Sequence, residues 1–229
     1  MNLLALDTST EVLAVAVRHG SQVLQHEAPG GAQASAALIP AIRRLLADAG
    51  LALPALEAIV FGCGPGSFTG LRTACAVAQG LAFGARLPVL PVETLLAVAE
   101  EARSRAGATR VVAMLDARMD QVYAAAYEWN GTLWQRHGEI ALEAPQDVHV
   151  PPGWAMAGNV FAAYGQRLPA GERIEALPGA AALLRLAPAL LAAGQAVPAD
   201  AALPLYIRDK VAQTTLERAA ARAALPPSP

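Results

Sequence analysis

Apolar and polar positions follow one another in short blocks from the first residues onward. Leu3-Leu-Ala-Leu-Asp7 is an apolar run ending in an acid, and the turn-prone Thr8-Ser-Thr10 separates it from a second apolar run, Val12–Val17. This reads as strand, tight turn, strand. His19-Gly20-Ser21 breaks the chain before a third run around Val23-Leu24, completing a three-strand meander. Ala36–Ala49 then sets Leu38, Ile42, Leu45 and Leu46 at helical spacing, with Arg43, Arg44 and Asp48 elsewhere and Gly50 placed to end the helix. A buried strand over Glu57–Gly62 runs through the glycine-rich Gly62-Cys-Gly-Pro-Gly-Ser-Phe-Thr-Gly70 into a helix from about Thr69 to Gly84. A strand at Pro88–Pro91 and a helix over Thr94–Arg105 follow.

The opening pattern returns at Val111-Val-Ala-Met-Leu-Asp116, where Ala117-Arg118 is expected to turn the chain into a second strand, Gln121–Glu128. Asn130-Gly131 predicts a two-residue type I′ hairpin, because both central positions need positive φ, and Thr132–Arg136 would be the third strand. From acid to hairpin glycine there are 13 residues in the first copy (Asp7 to Gly20) and 15 in the second (Asp116 to Gly131). The spacing predicts an α/β protein duplicated into two lobes, with the acid-tipped turns facing each other across a cleft. The expected lobes are residues 1–105 and a smaller 106–229, whose last helix packs back on the first.

Composition narrows the function. The chain has 229 residues, 55% of them hydrophobic, enough to bury a sizeable core. Seventeen Lys+Arg against nineteen Asp+Glu give a net charge of −2, so it lacks the overall basic charge of a protein that grips nucleic acid unaided. Its one lysine is Lys210, which excludes a GxxxxGK[ST] phosphate loop. Cys63 and Cys75 form no disulfide framework or zinc signature, and four histidines, His19, His26, His137 and His149, form no HxxxH or HExxH pair. Without a leader-like N-terminus or an unbroken apolar span, a cytoplasmic protein is expected.

Each candidate for chemistry has two readings. Asp7 and Asp116, at strand tips beside turn N–H groups, are where Mg²⁺ and phosphate can meet, or they simply cap turns. The glycines of Gly62–Gly70 can cradle an anion ahead of a helix N-terminus, or let another backbone approach closely. In the helix that follows, Gly70, Ala74 and Ala78 share a face beside Leu71, Val77 and Leu81; that face fits either a partner helix or the sheet of its own lobe. Arg118 can hold a phosphate or a partner carboxylate, or be an exposed arginine with no special role. No GxSxG elbow or redox motif offers a nucleophile.

Leu4-Ala-Leu-Asp-Thr-Ser-Thr10, Gly64-Pro-Gly-Ser-Phe-Thr-Gly-Leu-Arg72 with Gly80-Leu-Ala82, Leu115-Asp-Ala-Arg-Met119 with Val122-Tyr123, and Pro204-Leu-Tyr-Ile-Arg208 together resemble the TsaB family of bacterial tRNA threonylcarbamoyladenosine biosynthesis proteins. The resemblance runs nearly end to end. It implies a two-lobed actin-like, Hsp70-like fold of the ribonuclease H-like class, and a non-catalytic subunit that binds and activates a catalytic paralogue, TsaD. No catalytic residue, cofactor or metal is implied, since Gln33–Pro40 carries no histidine where the paralogue has its HxxxH pair. A vestigial nucleotide cleft would be lined by Asp7, Thr8, Gly64, Gly66, Asp116 and Gly158, the last within Ala157-Gly-Asn-Val160, which has one glycine of an expected pair. The implied partner and homodimer interface comprises Leu38, Ile42, Leu45, Thr69, Gly70, Thr73, Ala74, Val77, Ala78 and Leu81. A TsaE-like ATPase would join through the complex, tRNA would be bound by the assembly, and no membrane is involved. The competing expectation is a self-standing ATP-dependent phosphotransferase of the same fold, with a peptidase well behind it.

Overall fold

The computed structural model describes residues 1–31 and 34–208. Strand β1 (Asn2–Asp7) is apolar from Leu3 to Leu6 because both of its faces are covered. Leu4 and Leu6 point to one side, where helices α1 (Ala34–Asp48) and α2 (Phe68–Ala85) lie. Leu3 and Ala5 point to the other, against α5 (Ala180–Ala192). With β2 (Val12–His19), β3 (Gln22–Pro29), β4 (Ala58–Gly64) and β5 (Val89–Glu93), β1 forms a sheet of order β3-β2-β1-β4-β5. The first three strands are antiparallel, and β4 and β5 join in parallel through helical crossovers.

The second half repeats this plan. β6 (Arg110–Arg118), β7 (Gln121–Trp129) and β8 (Trp134–Glu143) form the meander, and β9 (Ala155–Gly158) and β10 (Arg173–Glu175) extend it in parallel. The order is β8-β7-β6-β9-β10, the same as in the first sheet. Val111, Ala113 and Leu115 face helix α3 (Thr94–Ala106). Val112 and Met114 face the opposite side, which Val148, Val160 and Leu168 close beside the short α4 (Phe161–Tyr164). This duplication makes the protein a two-lobed actin-like α/β fold.

Chain order and lobes part company at two helices. α3 belongs to residues 1–105 in sequence, yet Leu95, Val98, Ala99 and Ala102 pack on the second sheet, and Ala97 packs with the first. The last described helix, α5, covers the first sheet. Two turns also differ from expectation. The β6–β7 turn falls at Met119-Asp120 rather than at Ala117-Arg118, since β6 runs on through Arg118, which pairs with Gln121. Asn130-Gly131 is not a two-residue type I′ turn, because only Gly131 has positive φ, at 100°. A four-residue loop joins Trp129 to Trp134, held by the Asn130 Oδ1, which accepts from Thr132 N at 3.0 Å and Leu133 N at 2.8 Å. The third strand therefore starts at Trp134, not Thr132. Among the described residues no helix is long and apolar enough to cross a membrane.

Candidate functional site

β1 delivers Asp7 to its C-terminal tip, but the side chain turns inward. Oδ1 accepts from Ser9 N at 2.9 Å and Ser9 Oγ at 2.6 Å, while Oδ2 is fully buried with no hydrogen-bond partner among the described residues. Burial, only partly offset by the Ser9 hydrogen bonds, raises the carboxyl pKa from 3.8 to about 6. Thr8 is also buried, its hydroxyl donating to Gly70 O at 2.7 Å.

The glycine block owes its composition to the Asp7–Ser9 turn. A Cβ at Gly66 would stand 2.6 Å from Ser9 O, and one at Gly70 1.8 Å from Thr8 O. Gly64, at φ 126°, leaves the same kind of clearance for Leu205 O, which a Cβ would approach to 2.5 Å. Ser67 N donates to Ser9 O at 2.7 Å, and Ser67 Oγ caps α2 by accepting from Gly70 N at 3.5 Å. These contacts are the close-approach reading of the block. Gly158 follows the same logic on the second lobe, with φ 152° and a Cβ position 1.8 Å from Met114 O.

Asp116, at the tip of β6, does reach the cleft, but its oxygens are engaged. Oδ1 accepts from Arg118 N at 2.8 Å and from the Tyr164 hydroxyl at 2.9 Å, and Oδ2 pairs with Arg118 Nη1 at 2.9 Å. Asn159 links the two sides: its Oδ1 accepts from Asp116 N at 3.0 Å and its Nδ2 donates to Glu11 at 3.5 Å. Of the six expected cleft residues, Gly66 and Asp116 line the cavity of about 490 Å³ between the lobes, whereas Asp7, Thr8, Gly64 and Gly158 are packed away behind it.

The sequence alone gave no role to the aromatic part of the cavity wall. Phe68 and Tyr206 meet at a tilt of 37° with centroids 5.4 Å apart, and the Arg72 guanidinium lies 3.8 Å over the Phe68 ring while its Nε donates to the Tyr206 hydroxyl at 3.0 Å. Arg208 donates to Gln121 Oε1 at 2.7 Å. Arg72 and Arg208 stood inside the quoted motifs, and that was the available signal. Below the cleft, Glu93 of β5 accepts from the Tyr127 hydroxyl at 2.8 Å and pairs with Arg136, which ties the first sheet to the second. Burial, reinforced by Glu93, pushes the Cys63 thiol up to about 12, which keeps it protonated at neutral pH.

Six of the ten expected interface residues lie inside the lobe. Leu38, Ile42, Leu45, Gly70, Ala74 and Ala78 are buried within their own lobe. The small residues let α2 lie close on β4 and β1, which is the sheet-packing reading of that face. Thr73, Val77 and Leu81 are half-buried and Thr69 is exposed. The open side of the two helices carries Ile39, Ala76, Gly80 and Phe83, the last 81% exposed.

A fold of this class implies Mg²⁺ and nucleotide, and these residues do not fit them. The free oxygen of Asp7 faces Gly62 instead of the cavity, Asp116 is neutralised by Arg118, and the glycines are filled by backbone. Among the described residues no three His, Cys, Asp or Glu side chains gather where they could hold a metal ion.

Comparison with known proteins agrees with the duplicated fold. The family model of TsaD, tRNA N6-adenosine threonylcarbamoyltransferase, matches residues 18–216. The chain is 36% identical over 226 residues to the tRNA threonylcarbamoyladenosine biosynthesis protein TsaB of Escherichia coli (strain K12), covering 93% of this chain and 96% of that one. It is 34% identical to TsaB of Haemophilus influenzae, covering 92% and 95%. The solved structure of YeaZ from Pseudomonas aeruginosa superposes with a TM-score of 0.85 at 42% identity, over 90% of this chain and 99% of that one. With a family match across most of its length and relatives aligned nearly end to end, the chain belongs to the TsaB family of tRNA threonylcarbamoyladenosine biosynthesis proteins.

Proposed function

We propose that this chain is a non-catalytic subunit needed for threonylcarbamoyl modification of the adenosine next to the anticodon, in tRNAs reading codons that begin with A. It acts by binding and activating a TsaD-like catalytic paralogue. The observation that carries this reading is the sealed Asp7: the acid that would serve a phosphotransferase is buried, has one orphaned oxygen and faces Gly62. A protein whose cleft has lost its working group can still contribute a surface.

The surface best suited is the open side of α1 and α2, with Thr69, Thr73, Val77 and Leu81 joined by Ile39, Ala76, Gly80 and Phe83. Small exposed residues around one large aromatic allow a partner helix to come close and bury an anchor. The same side supports a homodimer when the paralogue is absent, so the two associations compete. A TsaE-like ATPase joins through the complex, and tRNA is held by the assembly in the cytoplasm.

Reconstitution tests this. Paralogue, TsaE-like ATPase, tRNA and threonylcarbamoyl-AMP should give little modified tRNA until the chain is added. Threonylcarbamoyl transfer by the isolated chain would overturn the reading.

A further inference from the structure

We propose that the mouth of the interlobe cleft binds single-stranded RNA, stacking an unpaired base on the Phe68–Tyr206 pair and meeting the flanking phosphates with Arg118 and Arg208. The choice of RNA over other polyanions rests on the proposed function; the site itself rests on four features of the structure.

The first is an aromatic pair left in solvent. Phe68 is 38% exposed and Tyr206 43%, at the rim of a cavity large enough for a nucleobase. The second is Arg72, which holds both rings in place by lying over Phe68 and donating to the Tyr206 hydroxyl. A fixed aromatic surface loses little freedom when a base stacks on it, and every base offers a π face.

The third feature is charge. Among the described residues Arg208 has no carboxylate within ion-pair distance, and Arg118 pairs with Asp116 through Nη1 alone, its side chain 80% exposed, although the chain as a whole carries −2. The two acids of the cavity wall are already engaged, Asp116 by Arg118 and Tyr164, Glu11 by Asn159. The fourth is backbone strain. Arg118, Met119 and Asp120 are three consecutive non-glycine residues with φ of 62°, 55° and 60°. Such a turn persists only where its surroundings enforce it. Here Asp116 grips Arg118, Arg167 grips Asp120 at 2.9 Å, and Arg208 reaches Met119 Sδ at 3.3 Å. The result presents the Arg118 guanidinium and a 72% exposed Met119 at the cleft mouth. An acidic peptide would use the cations and leave the paired rings idle, whereas a looped-out nucleotide uses both.

Fluorescence anisotropy of the full chain with a labelled RNA stem-loop, at low ionic strength and against the same stem as a plain duplex, tests the proposal. The stem-loop should bind more tightly than the duplex. Phe68→Ala and Phe68→Leu should each weaken it about tenfold, and Tyr206→Phe, which keeps the ring, should bind like the native chain. Arg118→Gln should lower the slope of log affinity against log salt by about 0.7. The proposal is overturned if the stem-loop does not bind, or if either Phe68 variant binds it as the native chain does. It is also overturned if those variants release the paralogue on co-purification and leave RNA binding intact, for then the mouth is a protein interface. Because RNA binding is read without the paralogue, its failure is separable from failure in the reconstituted modification reaction.

Discussion

Asp7 and Gly62 share one space: a methyl group on Gly62 would stand 1.7 Å from Asp7 Oδ2. The strand tip that would present a carboxylate to metal in a phosphotransferase here folds that carboxylate against the neighbouring strand. β4 accommodates it only because residue 62 has no side chain.

The burial of Asp7 makes stability depend on pH. The folded chain keeps this proton up to about pH 6, whereas an ordinary carboxyl loses it near 3.8, so stability falls as pH rises through that window. The difference between the two values corresponds to roughly 3 kcal/mol. Asp7→Asn should flatten the fall, and denaturant unfolding of both proteins at pH 4 and pH 7 measures it. An identical pH dependence in the variant would contradict the burial argument.

The glycine block should answer to backbone clearance. Gly70→Ala drives a methyl group into Thr8 O and should cost about 3 kcal/mol. Gly80→Ala, in the same helix with no atom of the described residues within 4 Å of its Cβ position, should stabilise by about 0.5–1 kcal/mol. Thermal unfolding compares them directly, and equal effects would mean that the block is not shaped by the Asp7–Ser9 turn.

Docking should follow the open side of α2. Ala76→Arg is exposed and should leave stability within about 0.5 kcal/mol while abolishing co-purification with the paralogue. Ala74→Arg would bury an unpaired charge in the core and should cost several kcal/mol, unfolding the protein instead of freeing it. A well-folded Ala76→Arg that still captures the paralogue would move the interface elsewhere.

Much of this architecture could be read before the structure, and the failures have physical causes. The apolar run of β1 and the Leu38/Ile42/Leu45 spacing of α1 state their elements outright, and the repeat of Asp7 at Asp116 announces the duplication. Periodicity tells which face of α2 is buried but not what buries it; Gly70, Ala74 and Ala78 suit a close-lying sheet as well as a partner helix. Glycine spacing was likewise ambiguous between anion and backbone until Thr8 and Ser9 were seen filling the space. The cleft wall was least legible, because Phe68 meets Tyr206 across 138 positions of chain that no local pattern connects.

The decisive measurement is the rate of tRNA threonylcarbamoylation by the paralogue and TsaE-like ATPase with Asp7→Asn in place of the native chain. An unchanged rate is expected, since Asp7 has only a structural place. A rate that collapses while the variant remains folded and bound to the paralogue would mean that this carboxylate does chemistry, and the account of a non-catalytic subunit would fail.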